Sequence, residues 1–293
     1  MMEHGLTPFW RGLSDEFVAW LNAGIGRQLL DLLVRHRLDV RLRNDYFNAY
    51  AAQCSLAKVE WLPRTRTARL VIDRAYLEGS ELLAQAGDVK RPAFAVTDAF
   101  LERYTRDLSR IGKTVAQRYA SPEGRWEERC VRANLEGSPF LVIDRQIANA
   151  RPRLQLDVLA FSSDPKDPLL LAVEVKRDLD NRIQYVPEQL ARYLRMLDPD
   201  GGGLREDVAA SYRLVCTQLH SLGFTAPPPE LVRPGISVAG LVALAKYSPR
   251  SKLLGRALEQ ARVLDRRVHF CFLSEDKVVL PRASQWFAEL PSR

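Results

Sequence analysis

The chain of 293 residues is long enough for one large domain or two modest ones, each with its own hydrophobic core. Its 46% hydrophobic and 27% charged residues are typical of a globular protein, and they exclude a low-complexity or fibrous chain. The 43 Lys and Arg residues against 36 Asp and Glu residues give a formal charge of +7, which suits an anionic partner such as nucleic acid but also occurs in proteins without one.

The first 115 residues are predicted to form an N-terminal domain, a helix followed by an antiparallel meander. Residues 15–36 carry apolar side chains at helical spacing, with Ser14 or Asp15 as the cap. A second helix is predicted over about residues 97–119. Between the helices, short alternating segments predict strands at residues 38–43, 46–52, 57–62 and 68–73. This domain is a candidate for substrate or partner binding.

Residues 116–293 are predicted to form an α/β (α+β) domain with a central mixed sheet flanked by helices. Its first part alternates helix, three strands and helix, at residues 126–136, 140–148, 153–161, 169–177 and 186–197. The remainder is predicted as a strand, a proline-rich loop, two helices and two closing strands, at residues 211–218, 225–235, 236–247, 251–265, 268–274 and 276–280.

Two acids and a lysine stand on the second and third of these strands. Asp157 is a lone acid in LQLDVLAF, and Glu174 and Lys176 end the apolar segment LLLAVEVKR. Because alternate residues of a strand point to one face, Glu174 and Lys176 share a face that Asp157 reaches from the neighbouring strand. Burying these charges is costly without a partner, and a divalent cation satisfies two facing carboxylates. The pattern therefore predicts a site for Mg²⁺ or Mn²⁺.

The spacing Asp-x16-Glu-x-Lys, together with the helix–strand–strand–strand–helix order, resembles the PD-(D/E)XK nuclease superfamily. That resemblance implies a restriction-endonuclease-like core and hydrolysis of phosphodiester bonds, chiefly of DNA. It assigns Asp157, Glu174 and the backbone carbonyl of Val175 to the metal, and Lys176 to the attacking water. It covers roughly residues 120–220 and departs from the pattern at Leu156, where the superfamily's name has a proline.

Further residues extend the resemblance. Gln189 and Tyr193 match the QxxxY motif that RecB-like members carry on the next helix. By resemblance they bind DNA phosphate or orient the groups of the metal site. Related nucleases also have a catalytic, metal-binding acid on the helix before the first core strand, for which Glu127 is preferred over the neighbouring Glu128. Analogy with such nucleases suggests prokaryotic defence or mobile elements as the biological context.

Seven basic residues lie close to these motifs in the sequence and are candidates for a rim that follows the phosphate backbone. An ordinary solvated face explains the two helix arginines, the last two of the set, equally well. The seven are Arg151, Arg153, Lys176, Arg177, Arg182, Arg192 and Arg195.

Two other functions stay open from the sequence. The fold could serve in a catalytically inactive nucleic-acid-binding or assembly protein, or the motif could be accidental in an α/β scaffold protein. DNA against RNA, endonuclease against exonuclease action, a homodimer and protein partners are also left open.

The cysteines and the apolar segments predict where the protein resides. The four cysteines show no CxxC pair and no zinc-ligand spacing, which favours reduced thiols. No segment reaches the roughly 18 apolar residues that a membrane span requires, and the N-terminus has no apolar core of a signal peptide. We therefore expect a cytoplasmic protein without a membrane partner.

Overall fold

The computed structural model describes residues 10–134, 137–149, 154–177, 181–274 and 278–289, which form two compact units. Residues 12–128 and 220–224 are called the N-terminal unit, and the described residues among 1–11, 129–219 and 225–293 are called the C-terminal unit. The boundary predicted near residue 115 lies inside a long helix, Asp98–Arg118, and the division between the units follows Glu128. The architecture is mixed α/β, with one five-stranded sheet in each unit.

The segment predicted as one helix over residues 15–36 is two helices, α1 (Asp15–Leu21) and α2 (Gly24–Arg35), bent by 71°. The backbone of Gly24 has a φ of +49°, which residues other than glycine rarely adopt. A Cβ on Gly26 would lie 2.1 Å from the backbone oxygen of Trp20, so glycine allows the close approach of the two helices. Apolar periodicity does not register this break. Among the described helices no single one is long and apolar enough to cross a membrane, and only the bent α1–α2 pair passes that test, by length and composition alone.

The sheet of the N-terminal unit is antiparallel, and its strands follow chain order. The predicted four-stranded meander is confirmed, and a short fifth strand, too brief to predict, is added. The strands are β1 (Asp39–Leu42), β2 (Tyr46–Ala51), β3 (Cys54–Leu62), β4 (Thr67–Val71) and β5 (Ala93–Ala95). Alternate residues of β4 are buried, so one face of the sheet belongs to the core.

Three further helices follow along the chain: α3 (Leu83–Ala86), α4 (Asp98–Arg118) and α5 (Pro122–Ala133). The helix predicted over residues 97–119 is confirmed as α4. Thr97 caps it, because the Thr97 hydroxyl accepts a hydrogen bond from the backbone N–H of Phe100 at 3.2 Å. Helix α5 begins at the Ser-Pro break after α4 and continues across the division between the two units.

The sheet of the C-terminal unit is mixed, as predicted, with strand order β10-β9-β8-β7-β6. Strands β6, β7 and β8 are antiparallel, whereas β8, β9 and β10 are parallel. The strands are β6 (Phe140–Asn149), β7 (Leu154–Ser162), β8 (Leu169–Arg177), β9 (Ser237–Ala245) and β10 (Val268–Leu273). The helices of this part of the chain are α6 (Val186–Leu197), α7 (Glu206–Ser221) and α8 (Lys252–Leu264).

Two predicted elements of the last third are wrong in type. Residues 236–247, predicted as a helix, contain β9, which lies between two parallel neighbours. A strand buried on both faces is a continuous apolar run without alternation, and such a run is easily mistaken for a helix. Residues 211–218, predicted as a strand, belong to the 16-residue helix α7, whose apolar side chains are only weakly concentrated on one face. The strand predicted at 276–280 is absent from its described part, residues 278–280.

Helix α6 packs against the sheet and thereby places its side chains over the end of β8. A Cβ on Gly240 of β9 would lie 3.5 Å from side-chain carbons of Leu190 and Leu194, so this helix already lies in close contact with the strand. Both leucines are fully buried. This packing determines which groups of α6 reach the acids of β7 and β8.

Candidate metal centre

The candidate site lies where β7 and β8 cease to pair. Their register runs from Phe161↔Leu170 to Val158↔Val173, one residue before Asp157. Beyond this point the Asp157 side chain, rather than the backbone of β7, bonds to β8: Asp157 Oδ2 accepts a hydrogen bond from the backbone N–H of Val175 at 2.9 Å. On its other side β8 stays paired with β9 as far as Arg177. The Asp157 carboxylate is therefore held against the end of β8.

Three oxygen atoms converge on the ammonium group of Lys176. Its Nζ lies 3.0 Å from the backbone oxygen of Val175, 3.2 Å from Glu174 Oε2 and 3.5 Å from Asp157 Oδ2. The predicted pattern on β8 is thus confirmed in its geometry, because Glu174 and Lys176 share a face and Asp157 reaches it. The ends of β7 and β8 thus bring together Asp157, Glu174, Val175 and Lys176.

Glu174 and Asp157 have different surroundings. The side chain of Glu174 is 2% exposed, whereas that of Asp157 is 18% exposed, so the pair opens to solvent on the Asp157 side. Burial raises the pKa of Glu174 well above its usual value, and the Asp157 carboxylate raises it further, while Lys176 lowers it. Ionising Glu174 beside Asp157 therefore costs free energy that the Lys176 ammonium does not fully offset.

The two motif residues of α6 have separate roles. Gln189 Nε2 donates to Glu174 Oε1 at 2.8 Å and also to the backbone oxygen of Gln155, so it orients the buried acid. The hydroxyl of Tyr193 donates to the backbone oxygen of Ile147 at 2.7 Å, and the residue is 1% exposed. Tyr193 therefore ties α6 to β6, and of the two predicted roles, phosphate contact and support of the site, the geometry favours support.

The preferred helix acid lies on α5, in the N-terminal unit. Glu127 and Glu128 are both buried on α5, in the part of that helix that belongs to the N-terminal unit. Glu128 Oε2 accepts the backbone N–H of Gln53, which is in the same unit, at 3.4 Å. The acids that the C-terminal unit itself brings together are Asp157 and Glu174. The assignment of Glu127 to the metal stays a prediction.

The predicted basic rim is only partly described. Arg151 and Arg153 lie outside the described residues. Arg192 forms an exposed ion pair with Glu188 one turn away on α6, and such pairs add little to stability. Arg182 and Arg195 are exposed, and Arg177 ends β8. Among the described members of the seven, Lys176 lies beside both acids of the site.

Some features of the site have no signal in the sequence. The backbone oxygens of Ile147 and Gln155 anchor α6, and a carbonyl is present at every residue. Gln146 has a φ of +47° in β6, between the paired positions Arg145↔Val158 and Ile147↔Leu156. Such a conformation is costly for a residue other than glycine and is common near functional sites, yet no residue type predicts it.

The oxygen atoms at the site fit a hard divalent cation. Two carboxylates and one backbone carbonyl form a ligand set of the kind that Mg²⁺ prefers, because this ion keeps several waters and needs only one or two protein carboxylates. The described residues contain no group of three or more His, Cys, Asp or Glu side chains that could hold a metal ion. A cation bound at the strand ends would take Asp157, Glu174 and the Val175 carbonyl as ligands.

No protein-family model, curated protein or solved structure matches this chain. Any assignment of function therefore depends on the geometry of the site and on the resemblance of its motifs.

Proposed function

We propose that this chain is a metal-dependent nuclease of the PD-(D/E)XK type that hydrolyses phosphodiester bonds of DNA with Mg²⁺ or Mn²⁺. The observation that carries the proposal is the convergence of three oxygen atoms, from Asp157, Glu174 and Val175, on a single cationic nitrogen within 3.5 Å. A point that accommodates an ammonium ion among hard oxygen ligands also suits a small divalent cation. The restriction-endonuclease-like core is part of the same proposal.

The protein groups divide the work of such a site. Asp157, Glu174 and the Val175 carbonyl would hold the cation, which when bound would neutralise charge on the phosphate and make a bound water more acidic. With the cation bound, the flexible Lys176 side chain would move its ammonium group aside. From beside the carboxylates, its charge would stabilise the negative charge that develops on phosphate. Gln189 keeps Glu174 oriented through the 2.8 Å hydrogen bond.

The test is cleavage of linear, circular and single-stranded DNA by the full chain with Mg²⁺ or Mn²⁺, compared with Lys176→Ala. Lys166→Ala is the matched control, because Lys166 is an exposed lysine in the turn between β7 and β8. We expect the wild type and Lys166→Ala to cleave and Lys176→Ala to be inactive. Equal cleavage by Lys176→Ala would exclude the assigned role, and cleavage of the circular substrate would identify an endonuclease.

One observation favours a second function, an inactive nuclease-fold protein that binds nucleic acid or assembles with other proteins. The Lys176 ammonium already pairs with both carboxylates, at 3.2 and 3.5 Å, and could neutralise them permanently. Under this alternative the wild type binds no Mn²⁺ at millimolar concentration and cleaves none of the three DNA forms.

A further inference from the structure

The hairpin formed by β3 and β4 in the N-terminal unit carries an excess of positive charge. Its segment from residue 58 to residue 69, KVEWLPRTRTAR, is called the basic hairpin. Within it there are four basic side chains and one acid. The basic residues are Lys58, Arg64, Arg66 and Arg69, and the acid is Glu60.

The single acid of the basic hairpin is already engaged by two of these four basic side chains. Glu60 pairs with Lys58 on its own strand and with Arg69 Nε across the β3–β4 pair at 2.6 Å. Burial raises the pKa of Glu60, but the hydrogen bonds from Lys58 and Arg69 outweigh it and lower the pKa overall. Glu60 therefore remains ionised and committed to these two partners, and Arg64 and Arg66 have no acid within the segment.

The tip presents its remaining groups to solvent. The strands pair as far as Leu62↔Thr67, and residues 63–67 are all exposed. The hydroxyls of Thr65 and Thr67 lie 2.9 Å apart, and the Thr65 backbone N–H donates to the Leu62 oxygen at 3.2 Å, which closes the turn. The backbone of Arg66 has a φ of +53°, an unusual conformation for a residue other than glycine.

Arg64 and Arg66 make no hydrogen bond, ion pair or ring contact within the part of the chain that the structure describes. Both residues are exposed, so each presents a guanidinium group to solvent, on a turn that is held in shape by its own hydrogen bonds. Guanidinium groups match phosphate oxygens in geometry as well as in charge, and threonine hydroxyls and backbone N–H groups are common further contacts to phosphate.

We propose that the tip of the basic hairpin binds the sugar–phosphate backbone of nucleic acid, with Arg64 and Arg66 each contacting one phosphate group. The choice of nucleic acid among polyanions rests on the proposed nuclease function, whereas the phosphate chemistry rests on the hairpin itself. Because phosphate contacts position a duplex without reading its sequence, this contact adds affinity that does not depend on sequence.

The experiment measures binding of labelled DNA to the full chain by fluorescence anisotropy, without divalent cations, over a series of salt concentrations. The variant is Arg64→Ala/Arg66→Ala. The control is Lys90→Ala/Arg91→Ala, two exposed basic residues whose side chains have no described partner. They precede β5, whose Ala93 pairs with Val71 at the far end of β4. Thermal unfolding of both variants checks that the unit stays folded.

Each lost phosphate contact lowers the slope of log affinity against log salt by about 0.9, so we expect the hairpin variant to lose about two units of slope and the control none. Equal slopes in the wild type and the hairpin variant would overturn the proposal, as would a wild type that binds no DNA. Loss of binding to vesicles of anionic lipid without loss of DNA binding would assign the tip to a membrane surface and overturn it too.

The two proposals fail separately. A wild type that binds DNA through the basic hairpin but never cleaves it with Mg²⁺ or Mn²⁺ contradicts the nuclease and leaves the hairpin contact in place. A wild type that cleaves DNA, while the hairpin variant has an unchanged salt slope and an unchanged KM, contradicts the hairpin contact alone.

Discussion

Both units of the molecule bury acids, and one acid from each, Asp107 and Glu174, shows two different ways of satisfying a buried carboxylate. Asp107 of the N-terminal unit has a side chain that is 2% exposed, as does Glu174 of the C-terminal unit. Asp107 accepts the hydroxyl of Ser80 at 2.6 Å and the backbone N–H of Glu81 at 2.9 Å, and it pairs with Arg110. It has three partners, and no second carboxylate competes for them in the contacts that the structure describes.

Glu174 and Asp157 instead share a cation. Both carboxylates lie within 3.5 Å of the Lys176 ammonium, and the Asp157 carboxylate helps to raise the pKa of Glu174. The comparison shows that burial of an acid does not identify a functional site, because a carboxylate with its own donors only stabilises the fold. Two carboxylates with too little positive charge between them attract a further cation.

The largest expected effect is the loss of DNA cleavage when the charge of Glu174 is removed. Glu174→Gln keeps the shape of the side chain but removes the charge of one ligand, and we expect cleavage of DNA to fall by about 10³-fold, since a metal supplies several kcal/mol to the transition state. Asp107→Asn is the matched change in the N-terminal unit. It should lower stability by about 1–3 kcal/mol, because Asp107 is a buried acceptor, and leave cleavage unchanged. Comparable losses of cleavage in the two variants would remove the distinction between the acids.

The next effect concerns the shared cation. Lys176→Met leaves two facing carboxylates without their ammonium, and we expect a loss of about 3 kcal/mol in the free energy of unfolding at neutral pH. Added Mn²⁺ should restore much of this stability, because the ion binds the folded chain and takes the vacated position. Denaturant unfolding with and without Mn²⁺ measures both changes, and Lys166→Met is the exposed control. A variant that loses stability and gains none from Mn²⁺ would indicate that the ammonium is only a structural partner.

A smaller effect is expected at the residue that orients the buried acid. Gln189→Ala removes the hydrogen bond to Glu174, and loss of such a supporting contact lowers metal affinity or activity by about 10–100-fold. Glu188→Ala, its neighbour on α6, breaks only an exposed ion pair with Arg192 and should change neither. Kinetics at several Mg²⁺ concentrations separate a loss of metal affinity from a loss of turnover. Equal behaviour of the two variants would count against the orienting role of Gln189.

Much of the site was predictable because its acids and lysine lie within short segments whose secondary structure shows in the local sequence pattern. The limits of β8 and α6 agree with the predicted segments 169–177 and 186–197, and the alternation along β8 placed Glu174 and Lys176 on one face. Strands β6 to β8 follow each other as antiparallel neighbours, so their contacts are close in sequence.

The rest depended on contacts that are distant in sequence. Strand β9 pairs in parallel with β8 after two intervening helices, and burial on both faces hides its period. The end of the β7–β8 pairing at Val158↔Val173 and the use of the Ile147 carbonyl by Tyr193 are backbone events that no residue type signals. The charge of the basic hairpin was visible in the sequence, but the engagement of Glu60 was not.

The central claim is that Asp157 and Glu174 form a divalent-cation site, and titration of the full chain with Mn²⁺ by calorimetry tests it most directly. We predict a single Mn²⁺ site in the wild type and in Asp107→Asn, weakened by about 100-fold or more in Asp157→Asn, which removes the charge of one ligand. A wild type that binds no Mn²⁺ at millimolar concentration, or an Asp157→Asn variant that binds it as tightly as the wild type, would contradict the account.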